Sequence, residues 1–239
     1  MKKLTNAEVI YNFKDLLDKE RLSDQIGYSN RFIINHILNF RSTLIKRKKK
    51  ENKLSDLNYQ TLNLNLVEVS DAELPCVPGS NCILLRTETP LPYFIDIKSI
   101  TTPLNKSGQV HKISEIDPDM IKYKLHSKLP VQLDNFYYFL QNTGEGVYIY
   151  IWSNKPIFLK SISIKAIFYK PYIIEAIKDC AGNLDGCYNY LDAEFPIDTE
   201  LLSEIYNLAI SYLLKGKTLV SDVLNDNLDT IVNNPQPVK

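Results

Sequence analysis

The sequence predicts an α+β protein: a small helical bundle, made of an N-terminal helical hairpin and a C-terminal helix, with an inserted antiparallel β-sandwich or barrel-like domain and an extended C-terminal arm. Three observations carry this prediction. Apolar residues recur at helical spacing near both ends of the chain, whereas the middle switches to the two-residue alternation of strands. The last stretch holds few large apolar side chains and ends around Pro235 and Pro237.

Thr5-x-x-Glu8 is a capping-box pattern, and Val9, Phe13, Leu16 and Leu17 follow at helical spacing, so a first helix is expected from about Asn6 to Arg21. Ser29 then caps a second helix whose apolar stripe, Ile33, Ile34, Ile37, Leu38, Leu44 and Ile45, runs to about Lys50. The two form an antiparallel hairpin over residues 1–53. Residues 54–170 form the β-rich domain, opening with "TLNLNLVEV", where leucines alternate with asparagines. Further strands are expected at 82–87, 94–100, 109–114, 120–126, 136–142, 147–152 and 159–169, and "NTGEG" (142–146) reads as a hairpin turn. Residues 171–217 return to helix: a short piece after Pro171, a turn-rich loop, and a long helix with Asp198 as cap and Gly216 as stop. The arm is 218–239.

At 239 residues the chain buries enough surface to fold without staples, and 28 Lys and Arg balance 28 Asp and Glu. Overall charge therefore argues against a free DNA-binding protein and leaves local patches as the contact points. Polar residues interrupt the N-terminus, and no stretch reaches the roughly 18 apolar residues of a membrane span, so a protein made in a reducing cytoplasm, without membrane contact, is expected. Fifteen tyrosines and only eight glycines favour strands and interfaces over phosphate-cradling loops.

Chemistry is hard to find. Cys76 with Cys82 and Cys180 with Cys187 are spaced too widely for ordinary zinc pairs and read as reduced thiols in loops. His36, His111 and His126 lack partners at ligand spacing. Asp117 with Asp119, and Asp185 with Asp192, offer paired carboxylates, but Pro118 and Gly186 mark these as turns, where Asp serves local hydrogen bonding. No nucleophile elbow, phosphate loop or metalloprotease helix is present, so no catalytic residue, metal ligand or cofactor is expected.

The one conspicuous patch is Lys46, Arg47, Lys48, Lys49 and Lys50 at the end of the second helix. A helix C-terminus favours cations, which makes a solvated end the plain reading, yet five adjacent cations repel, and an acidic partner or nearby DNA lowers the cost of clustering them. The tail carries the opposite sign in Asp222, Asp226 and Asp229, so a basic helix end on one molecule meeting an acidic arm on the next would generate rings or filaments.

Taken in order, "SNRFIINHILNFRSTLIKRK", "LPCVPGSNCILLRTETPLPYF", the strand-rich middle and "EFPIDTELLSEIYNLAISYLL" resemble the head-to-tail adaptor, or ring, proteins of crAss-like short-tailed bacteriophages. The resemblance implies a virion subunit, in the tail or neck, of a ring of about twelve copies that docks to the portal protein, contacts neighbouring tail ring proteins and continues the channel for double-stranded DNA. It brings no catalytic residues. Ser29, Asn30, Arg31, Arg41, Pro75, Cys76, Cys82, Arg86 and Pro196 fall in its blocks, with folding and subunit contacts as their implied roles. On it, the lysine run lies on the channel wall or against an adjacent ring. The alternative is a tail-associated β-sandwich that recognises host glycan or another tail protein.

Overall fold

A computed structural model describes residues 4–19, 28–69, 83–103, 110–121, 136–153, 159–180 and 189–214. The chain divides into two compact units: residues 1–55 with 197–239, and the intervening 56–196.

The first unit contains α1 (Asn6–Lys19), α2 (Asn30–Lys50) and a last helix described over 199–214. Both predicted caps are formed. The Thr5 amide donates to Glu8 Oε2 at 3.1 Å and the Glu8 amide returns to Thr5 Oγ1 at 3.3 Å, which satisfies two otherwise orphaned donors. Ser29 Oγ accepts from the Phe32 amide at 3.2 Å. At the other end of α2, Asn52 takes φ +56, and the Lys53 and Asn52 amides bond the Lys48 and Lys49 carbonyls, each at 3.0 Å. This Schellman closure uses Asn for the left-handed residue because its side chain tolerates that conformation. At the last helix the Asp198 side chain accepts from the Glu200 amide at 3.3 Å.

The core of this unit joins Val9, Ile10, Phe13 and Leu17 of α1, the stripe of α2 that includes Ile33, Ile34, Ile37 and Leu38, and Ile205, Tyr206 and Ala209 of the last helix. Tyr206 stacks at a tilt on Phe13, 5.9 Å between ring centres, and its hydroxyl donates to the Val9 carbonyl at 3.0 Å. Burial pushes the Tyr206 phenol up to about 12, so it stays a donor at any physiological pH.

The second unit is a closed seven-stranded barrel: β1 (Gln60–Glu68), β2 (Ile83–Thr87), β3 (Phe94–Thr101), β4 (Lys112–Glu115), β5 (Tyr137–Thr143), β6 (Gly146–Ser153) and β7 (Ser161–Phe168), in the order β1-β2-β6-β5-β4-β3-β7. Six of the seven pairings are antiparallel, and β4 runs parallel to β5, so the barrel is mixed where a wholly antiparallel one was expected. Among the described residues every strand pairs with a neighbour on each side, which removes the usual template for unwanted strand addition. Alternation holds as predicted: Leu62 and Leu64, Ile149 and Ile151, and Ile162, Ile164 and Ala166 point inward.

Two departures have physical causes. Strands β5 and β6 are buried on both faces, because Tyr137, Phe139, Tyr148, Tyr150 and Trp152 form a second apolar cluster with Ile116 on the opposite face. That is why "VYIYIW" reads as a continuous apolar run and not as an alternation. The strand predicted at 120–126 begins instead as a helical turn at 118–121, and 122–126 lie outside the described residues. Asp117 Oδ1 accepts from the Asp119 amide at 3.0 Å and Pro118 occupies the first helical position, so a local cap overrides the alternation. A helix α3 (Pro171–Cys180) covers β1 and β7, with Ile174 entering the barrel core. The last helix is called α4 below.

Candidate interaction surfaces

The predicted lysine run occupies the final turn of α2, and the helical repeat spreads it around the axis instead of gathering it on one face. Arg47 pairs with Glu204 of α4. Lys46, Lys49 and Lys50 are exposed and Lys48 is half-buried. The cations are thus well placed to satisfy the α2 C-terminus electrostatically, and most of them reach solvent.

Arg41, before the run on the same helix, is of another kind: it is fully buried on the core face of α2, with Ile37, Leu38, Leu44 and Ile45. Burial pushes its guanidinium down to about 9, which still leaves it protonated at neutral pH. It serves the interior of the unit and is separate from the lysine run.

Along the edge of the buried stripe α2 carries a ridge of aromatic rings. Tyr28, Phe32, His36 and Phe40 recur every four residues, and their rings touch in series at 4.9, 5.8 and 5.0 Å between centres. Tyr212 of α4 joins them, 5.1 Å from His36 and 6.1 Å from Phe40. His36 Nε2 is buried here with no hydrogen-bond partner, and burial holds its pKa below the usual histidine value. The four-residue spacing is present in the sequence, but it adjoins the core stripe and merges with it into one apolar pattern.

On the barrel, Glu115, Ile116, Asp117, Pro118, Phe139 and Leu140 line an open cleft of about 540 Å³. Arg86 lies 5.1 Å over the Tyr148 ring, a cation–π contact on the same sheet. Asp56 holds Lys98 and, at 3.2 Å, Lys165; the hydrogen bonds from these lysines draw its carboxyl below the usual range.

The remaining candidates fall as follows. His111 is exposed, its ring edge-on to Phe136 at 6.3 Å. Asp192 sits in a turn, accepting from Asn189 Nδ2 at 2.9 Å. His126, Cys76, Cys82, Cys187, Asp185, Pro75 and the tail residues Asp222, Asp226 and Asp229 lie outside the described residues. Among the described residues no three His, Cys, Asp or Glu side chains gather as a metal site, and no helix is long and apolar enough to cross a membrane.

An α+β scaffold whose distinctive surfaces are an exposed aromatic ridge and a cationic helix end is that of a protein that works through macromolecular contact, as an assembly subunit does. Residues 8–231 match the family model described as phage tail ring protein 2 of the crAss group, and the chain belongs to that family. It is a structural protein of the phage tail, a ring subunit of the virion. No curated protein matches the chain.

Proposed function

We propose that the chain assembles into a closed ring of about twelve identical subunits, docks directly or through a neighbouring ring onto the portal, and continues the double-stranded DNA channel towards the tail. The observation that carries this reading is the family match along nearly the whole chain, which brings a ring-forming tail role with it. The charge distribution is consistent with a conduit. A channel lined throughout with cations would hold DNA through many phosphate contacts, whereas a neutral chain with one basic helix end lets DNA pass.

In this reading the three helices of the first unit form the bundle and the barrel is its insertion. Lys46, Lys48, Lys49 and Lys50 face DNA or an acidic surface of an adjacent ring, and the arm from Thr218, with Asp222, Asp226 and Asp229, orders against a partner. No catalytic step is assigned to any residue. Negative-stain electron microscopy of the purified chain mixed with the portal protein of the same phage tests the docking. Rings stacked on portals support it; portals left bare in excess chain, with or without the other ring proteins, overturn it.

A further inference from the structure

The aromatic ridge of α2 presents more apolar surface than the first unit needs for its own core. Phe32 is 44% exposed and Tyr212 62%, although both already sit in the chain of ring contacts described above. On an α-helix, residues four apart share one face, and this face borders the buried stripe of Ile33, Ile37 and Leu44, with His36 and Phe40 half-buried at the boundary and Phe32 exposed. Large exposed aromatics clustered in this way are the usual centre of a protein–protein contact, because they bring much area at little cost in side-chain entropy.

Charge identifies what sits on it. The segments of the first unit contain 16 Lys and Arg against 12 Asp and Glu, and those of the barrel unit 12 against 16. Helix α2 itself has seven cations and no acidic residue; Arg41 is buried and Arg47 is paired with Glu204, and the other five carry the positive charge of its surface. Two such helical units brought face to face repel, whereas the helical unit of one copy and the barrel unit of another attract. A contact between unlike surfaces is the heterologous kind, and only that kind propagates from subunit to subunit until a ring closes.

We propose that the ridge formed by Phe32, His36, Phe40 and Tyr212 is the helical half of the contact between neighbouring subunits, and that it seats on the barrel unit of a second copy of this chain. The inference rests on the ring reading above and goes beyond it in naming the surface and its occupant. The apolar rings supply the buried centre of the contact, and the exposed cations elsewhere on α2 set its polarity.

The test uses the full chain as wild type and as F32E, Y212E and the conservative pair F32Y and Y212F, with assembly followed by native mass spectrometry. Circular dichroism checks that each variant is folded. Each glutamate is expected to weaken assembly by at least about tenfold, and the conservative pair to keep it. A photo-crosslinking phenylalanine at position 212, in mixed light and heavy-isotope chains, is expected to capture a peptide from residues 56–196 of another copy. Rings that form equally well in folded F32E and Y212E, or cross-links confined to the helical unit of the other copy, overturn the ridge contact while leaving the ring reading standing. A wild-type chain that forms no ring, alone or with its portal and ring partners, overturns the ring reading, and the ridge contact with it.

Discussion

Replacing Gly146 with alanine should destabilise the barrel far more than the same change two residues earlier. Gly146 opens β6 with φ +144, a backbone conformation that L side chains rarely adopt, and a Cβ added there would stand 2.9 Å from Pro90 Cβ. The backbone strain is worth about 1–3 kcal/mol. The crowding against Pro90 adds a similar amount, since a proline ring cannot swing aside. Reduced freedom of the unfolded chain returns somewhat under 1 kcal/mol, which leaves a net loss of about 1–5 kcal/mol. For a unit of this size that lowers the melting temperature by roughly 3–15 °C. Gly144 has no positive φ and open space around it, so G144A should be neutral or slightly stabilising. The only tryptophan, Trp152, lies buried in the barrel, so its fluorescence in urea and on heating reports this unit. A G146A protein within about 1 kcal/mol of wild type, or a G144A protein worse than G146A, would refute this account of the β5–β6 turn.

Two further outcomes are expected. Because burial depresses the His36 pKa below its unfolded value of 6.5, the unfolded chain takes up a proton that the folded chain resists. Stability is therefore unaffected well above that value and falls as pH drops through it towards the folded pKa; H36F should flatten this part of the urea-denaturation profile followed by far-UV circular dichroism, and an unchanged slope would count against a neutral His36. Changing Lys46, Lys48 and Lys50 together to serine should leave the fold intact, since such surface charges contribute at most about 1 kcal/mol each. It should also lower genome retention or ring docking in assembled particles, and unaltered particle yield and DNA content would remove the functional reading of the run.

How much of this was legible in the sequence depended on whether the signal was local. The Thr5–Glu8 box, the Ser29 cap and the "NTGEG" turn are decided within a few residues, and each appears where the pattern placed it. The alternating leucines of β1 likewise state which face is buried. The parallel pairing of β4 with β5 is set by a choice of neighbour across the barrel, to which strand periodicity is blind. The lysine run was visible as charge, but the pairing of Arg47 with Glu204 joins residues far apart in the chain and leaves no local trace. Arg41 occupies a stripe position by spacing and was set apart only by its charge; its full burial requires the packed helices to be known. The aromatic ridge is hidden for the opposite reason: its period is as plain as that of the core stripe, and because it borders that stripe the two read as one broad apolar face.

Localised cryo-electron microscopy of the phage tail, without imposed symmetry at the outset, tests the central claim most directly. The account predicts that the barrel unit and the helical unit of this chain each fit repeated density in one ring around the axial DNA channel. Density for the chain found only in peripheral fibres or host-binding appendages, or a ring position filled by another protein, would contradict it.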